Sequence, residues 1–123
     1  MGEKYRDLLI NSELLQSQKQ PKGYFYTYYT FSAKFNGKTE KISWYDLRKK
    51  HMEFGGDGIF AAAKLLHQEP IFRDLKIGYG ETPVAVDLQK KLMNFTTTQA
   101  DTNEMDKQID ALSNSLRYFG DSS

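Results

Sequence analysis

Residues 24–35, YFYTYYTFSAKF, constrain the fold more than any other stretch. Aromatic and β-branched residues dominate it, and these favour the pleated, extended backbone of a strand. Successive side chains of a strand point to opposite faces. Phe25, Thr27, Tyr29, Phe31, Ala33 and Phe35 therefore share one face, and Tyr24, Tyr26, Tyr28, Thr30, Ser32 and Lys34 share the other. Asn36-Gly37 follows as a hairpin turn signal, which predicts a short second strand through Ile42. A strand with aromatics on both faces is more than a small domain hides by itself. It points to a surface that packs against other protein.

The rest of the chain predicts helices around this sheet. Tyr5, Leu8 and Leu9 give residues 3–10 one apolar helical face. After a polar break at Asn11-Ser12 come Leu14 and Leu15, and residues 16–23, with Pro21 and Gly23, read as a loop. Ser43 and Asp46 have capping-box spacing, and the helix behind them carries the stripe Trp44, Leu47, His51 and Phe54. Gly55-Gly56 ends it. Ile59 to Ala63 reads as a short buried strand, followed by an irregular segment up to Gly80. Thr82-Pro83 opens a helix with the apolar face Ala85, Leu88 and Leu92. Residues 95–98 suit either strand or loop. Asp101 and Glu104 then start a final helix with the stripe Met105, Ile109, Leu112, Leu116 and Phe119. Gly120 stops it, and Asp121-Ser122-Ser123 reads as a frayed tail. The expectation is a single α+β domain over residues 1–123, a small, mainly antiparallel sheet with helices packed on one face.

Composition excludes several classes of function. No run approaches the 18 apolar residues of a membrane-spanning helix. Cysteine is absent, which removes disulfides, thiolate metal sites and a thiol nucleophile. With 17 Lys and Arg against 16 Asp and Glu, the net charge of +1 gives no electrostatic reason to expect nucleic acid or a membrane as partner. No signal peptide opens the chain, and Arg6 stands where a myristoylation site wants Ser or Thr, so a cytoplasmic location is expected.

Catalytic signatures are sparse. His51 and His67 are the only histidines, and they lack metal-ligand spacing. His51 falls on an apolar stripe and reads as structural, whereas His67-Gln68-Glu69-Pro70 lies in an irregular, aromatic-flanked segment where binding groups are common. Gly78-Tyr79-Gly80 starts like a phosphate loop, but Pro83 replaces the third glycine, and a plain turn is the better reading. Asn94-Phe95-Thr96 fits a glycosylation sequon by chance. No residue emerges as a catalytic candidate.

Taken in order, the segments resemble the C-terminal small domain of DegT/StrS-type (DegT/DnrJ family) sugar aminotransferases, pyridoxal-phosphate (PLP) enzymes of the aspartate aminotransferase fold. The opening EKYRDLLINSELLQSQKQPKGY is similar to the connecting helix and loop, and YTYYTFSAKF (26–35) to the family's aromatic strand. WYDLRKKHMEFGGDGI (44–59) resembles the helix ending in a Gly-Ile turn, and LLHQEPIFRD (65–74) the Leu-His-x-Gln-Pro-x-Tyr-Arg-like segment. ETPVAVDLQKKLMNF (81–95) resembles the Pro-Val-Ala-Glu-x-Leu helix with the strand after it, and the final helix matches the family's terminal one. Glu69, Phe72 and Asp87 stand where Gln, Tyr and Glu are common, and only FAAAKLL separates Ile59 from His67.

The resemblance implies amino transfer from an amino acid such as glutamate to a keto-sugar nucleotide, feeding polysaccharide or lipopolysaccharide synthesis. It implies a large domain before residue 1 that carries the Schiff-base lysine and the PLP, and a homodimer partner. With that catalytic domain absent, the chain alone is expected to hold no PLP and to be inactive. Small-domain loops in the family help to close the substrate pocket. By position, Asp57, Gly58, Ile59, Phe60, His67 and Glu69 are the residues expected on the sugar-nucleotide side. The alternative is a stand-alone protein-interaction module that uses the aromatic strand 24–35.

Overall fold

Phe31, Ala33 and Phe35 alternate into the core of the protein, and the architecture follows from what covers them. The computed structural model describes residues 1–37, 41–61, 64–78 and 80–121. Helix α1 (Gly2–Leu8) leads to strand β1 (Leu15–Ser17) and, after a long connection, to strand β2 (Phe31–Phe35). Helix α2 (Trp44–Glu53), a 3-10 turn (Leu66–Gln68), α3 (Pro70–Asp74), α4 (Pro83–Gln89), β3 (Leu92–Phe95) and α5 (Thr102–Tyr118) complete the order. The sheet is antiparallel with β2 in the middle, pairing Leu15 with Phe35 on one side and Phe31 with Phe95 on the other. The coarse expectation, an α+β chain with a small antiparallel sheet, is what the structure has.

One face of the sheet is closed by helices. Tyr5 of α1 lies 5.2 Å from Phe31 and 5.3 Å from Phe95 between ring centroids. Leu47 of α2 and Leu112 and Leu116 of α5 fill the same core with Leu15 and Met93. Ser43 caps α2 with the reciprocal Asp46 bonds that the sequence predicts, and Asp101 caps α5 by accepting from the Glu104 amide. The Trp44 indole donates to the Leu92 carbonyl at 3.0 Å and ties α2 to β3. On the opposite face Ser32 donates to the Asn94 side chain, and a hollow of about 430 Å³ separates Lys34 and Ser32 from Leu88 of α4. Among the described residues, no helix is long and apolar enough to cross a membrane.

Several expectations are corrected. Residues 24–30 are not strand, because Tyr28 adopts φ 49 and breaks the alternation there. Its ring takes the core-side place over Gly2, where an added Cβ would come within 2.1 Å of it. Phe25 and Tyr29 are left 90% and 92% exposed. The hairpin partner expected after Asn36-Gly37 has no edge to pair with, since β1 and β3 occupy both sides of β2. Residues 38–40 of that expected strand lie outside the described residues, and Lys41 and Ile42 are not strand. The stretch read as loop from residue 16 supplies part of β1, held by burial of Leu14 and Leu15.

The strand expected over Ile59 to Ala63 reduces to one bridge, in which Phe60 and Asn94 exchange both backbone bonds. Residues 62 and 63 lie outside the described residues. The segment read as irregular up to Gly80 contains the 3-10 turn and α3. Thr82 precedes α4, but its side chain makes no cap bond. Asp121 is anything but frayed: it is buried, and its carboxylate accepts from the Ser12 hydroxyl and the Glu13 amide.

Candidate functional site

The turn at residues 55–60 owes its path to two glycines. Gly55, at φ 89, reverses the chain after α2 in a conformation that other residues reach only under strain. Gly56 then passes directly over the His51 ring, where a Cβ would meet the imidazole at 2.3 Å. The chain is thereby delivered to the N-terminal half of α5. There the Asp57 amide donates to Gln108 Oε1 at 2.6 Å. The Thr96 hydroxyl donates to Asp57 Oδ2 at 2.9 Å, and Gln99 Nε2 reaches the same oxygen at 3.4 Å. A hollow of about 270 Å³ opens beside this carboxylate, lined by Asp57, Thr98, Gln99, Glu104, Lys107 and Gln108.

The remaining residues of the turn face different ways. Gly58 runs past the Phe60 ring and the Arg48 guanidinium. Arg48 donates through Nε to the Ile59 carbonyl at 3.1 Å, and the Ile59 side chain is buried in the core. Phe60 is 57% exposed. His67 and Glu69 belong to a second neighbourhood. His67 is half-buried, packs its Cβ against Gly78, and has Nδ1 3.5 Å from Thr82 Oγ1. Glu69 is exposed at the start of α3, where its carbonyl accepts from the Arg73 amide. The fold thus places Asp57, Gly58, Ile59 and Phe60 against β3 and α5, and His67 and Glu69 on the 66–74 segment.

Buried groups behind the turn feel its charge. Burial pushes the His51 imidazole down to about 4, against the pull of the Asp57 carboxylate. His51 Nδ1 has no hydrogen-bond partner, and the ring stands edge-on to Phe95 at 6.0 Å. Burial also raises the Tyr5 phenol well above its ordinary range, and Asp57 adds to the rise. His51 is therefore a neutral core residue at pH 7.

The arrangement suits recognition better than bond-making. Asp57 is a held acceptor beside an open hollow, and Phe60, three residues on, is an exposed ring outside that hollow's lining. The His67–Thr82 separation is long for proton transfer. Among the described residues, no cluster of three or more His, Asp or Glu could hold a metal ion. The described lysines do not fit PLP either, since none is buried. Lys4, Lys50 and Lys91 pair on the surface with Asp106, Glu53 and Asp87. A covalent PLP site needs a lysine held beside the cofactor with an acidic partner for the ring nitrogen.

Thr96, Gln99 and Gln108 were not legible as site residues. Gln108 did leave a signal: it lies three residues after Met105 and four before Leu112, on the apolar side of α5. A polar residue buried there needs a partner, and the Asp57 amide is it. No protein-family model matches the chain, and no curated protein or solved structure gives a significant match.

Proposed function

We propose that the chain is the C-terminal small domain of a PLP-dependent nucleotide-sugar aminotransferase of the DegT/StrS type. The ordered run of segments from the opening helix to the terminal one is the basis of the reading. The observation that carries it is a set of exposed apolar side chains, close together in sequence, that the core leaves outside. Phe60, Leu66, Ile71, Leu75, Ile77 and Val84 are each more than half exposed, and they flank the turn, His67 and Glu69. Such a surface is what a large domain or a dimer partner would cover.

In this reading the large domain holds the PLP, which supplies the electron sink for moving an amino group from an amino acid, such as glutamate, to a keto-sugar nucleotide. The chain described here closes the substrate side. Asp57 accepts hydrogen bonds from sugar hydroxyls, Phe60 shields the pocket from water, and His67 and Glu69 add polar contacts from the neighbouring segment. Alone, the chain is inactive in this reading, because none of its described lysines is buried. A cytoplasmic location and a homodimeric parent belong to the same proposal.

The test begins upstream of the Met1 codon. A continuous frame encoding a lysine-bearing large domain is expected. In that full-length enzyme, Asp57→Ala and Phe60→Ala should raise KM for the keto-sugar nucleotide while leaving the amino-donor half-reaction near its original rate. A stop codon just upstream, or unchanged sugar kinetics in both variants, refutes the assignment. The second reading, a stand-alone protein-interaction module, is favoured by the exposure of Tyr24, Phe25 and Tyr29, and the stop codon would support it.

A further inference from the structure

Residues 24–30 have the sequence of a strand and the structure of a loop. The conflict is concentrated at one residue. Tyr28 sits at φ 49, a left-handed conformation that a bulky side chain adopts only under strain. Its hydroxyl is buried without a hydrogen-bond partner. Its neighbour Tyr29 is thrown out to 92% exposure. A handful of bonds holds the loop: Tyr26 to the Lys19 carbonyl, Gln20 to the Tyr24 carbonyl, and the Thr97 hydroxyl to the carbonyls of Tyr28 and Tyr29.

The Thr97 bonds reveal what the loop displaces. Asn94 commits its amide and carbonyl to Phe60, so Ser32 and Asn94 form a non-hydrogen-bonded pair in the ladder. Phe31 and Phe95 therefore form a hydrogen-bonded pair. Continued past the end of β3, the same register sets Thr30 opposite Thr96, Tyr29 opposite Thr97, and Tyr28 opposite Thr98. Tyr29 and Thr97 would then exchange backbone bonds. In the observed structure the Thr97 hydroxyl already donates to the Tyr29 carbonyl, at 2.9 Å, in place of the ladder amide.

We propose that residues 24–30 are a two-state strap. In the observed state Tyr28 occupies the place over Gly2 and the segment is a loop. In the other state the segment continues β2 along residues 96–98, Tyr28 swings to the opposite face, and Tyr29 takes the place over Gly2. Strand alternation puts Tyr29 on the same face as Phe31, so the exchange swaps one tyrosine for its neighbour at a single position. The second state relieves the left-handed backbone, while the two tyrosines otherwise trade places, one ring covered and one outside in each state. The Thr97 hydroxyl, its one proton shared between the Tyr28 and Tyr29 carbonyls, and the side-chain bonds of Gln20 and Tyr26 hold the first.

Amide hydrogen exchange followed by NMR on the full chain tests this. Tyr28→Val disfavours the left-handed backbone and should raise protection of the Tyr29 and Thr97 amides about tenfold. An Hα–Hα contact between residues 28 and 98 should appear with it. Thr97→Val removes only the hydroxyl bonds of the loop state and should move the same amides in the same direction. Tyr28→Gly removes the left-handed strain without favouring the strand, and should leave those amides as open as in the parent chain. Protection that rises in neither valine variant, or rises equally in the glycine variant, overturns the proposal.

Discussion

Acidification should destabilise the protein through His51, and by an amount that the structure sets. The imidazole lies in the core with its ring on Phe95 and the Gly56 backbone, and its folded-state value is near 4 against an ordinary 6.5. A lowered histidine value means that the folded state resists the proton. Stability from this residue is fully present above pH 6.5 and is lost as pH falls toward 4, where the unfolded chain binds a proton that the folded one excludes. The fall from 6.5 to about 4, at about 1.36 kcal/mol per pH unit, amounts to roughly 3 kcal/mol. That is a large fraction of a small domain's total stability.

The comparison that isolates it is the parent chain against His51→Leu. Leucine is close in size, cannot titrate, and removes the unpartnered Nδ1 together with the ring's hydrogen bond to the Ala111 backbone. Urea unfolding followed by the fluorescence of Trp44, the single tryptophan, reports the contact between α2 and β3 directly. Surface carboxylates affect both proteins alike and cancel in the difference. At pH 7.5 the two stabilities should be similar. Between pH 6.5 and 4 the parent should fall behind by roughly 3 kcal/mol, with unchanged urea slopes. Asp57→Asn should enlarge the loss, because that carboxylate, ahead of the hydrogen bond to the Ala111 backbone, pulls the His51 value upward. Parallel pH profiles for the parent and the leucine variant would refute the buried neutral histidine.

Three further outcomes follow from particular contacts. Tyr28→Phe keeps the ring over Gly2 and deletes an unpartnered buried hydroxyl, so urea titration should show a gain of about 1 kcal/mol or more. Asp121→Ala strips the acceptor from Ser12 and from the Glu13 amide and should cost roughly 2 kcal/mol in the same assay, with Asp121→Asn falling between it and the parent. Ser43→Ala breaks the capping box of α2 and should cost about 1 kcal/mol, seen as a lower thermal midpoint by circular dichroism.

The helices were the legible part of this chain because their signals are local. Ser43 with Asp46, and Asp101 with Glu104, mark the starts of α2 and α5 within four residues, and the structure puts both caps where the spacing predicts. The sheet was less legible because its partners are remote. Nothing near Phe31 says that residue 95 will be its neighbour, and the adjacent Asn36-Gly37 suggests a local hairpin instead. Alternation correctly selected Phe31, Ala33 and Phe35 for the core and failed only upstream of Thr30, where one left-handed residue exchanges the roles of Tyr28 and Tyr29. Asp57 enters the candidate site through its position in the family resemblance. Its partners Thr96, Gln99 and Gln108 were not legible, because only tertiary packing brings them to it.

The central position of β2 also bears on how the molecule comes to be folded. Its two neighbours are drawn from residues 15–17 and 92–95, and the Ser12 end of the chain is fastened by Asp121. A nascent chain that has emerged as far as α2 therefore displays Phe31, Ala33 and Phe35 on a strand with one side bare, and has no α5 to lay over them. Productive folding must wait for nearly the whole sequence to leave the ribosome, and contacts of such long range close slowly. During that interval the aromatic segment is the part of the chain most at risk of wrong association, and the part on which a chaperone would act first.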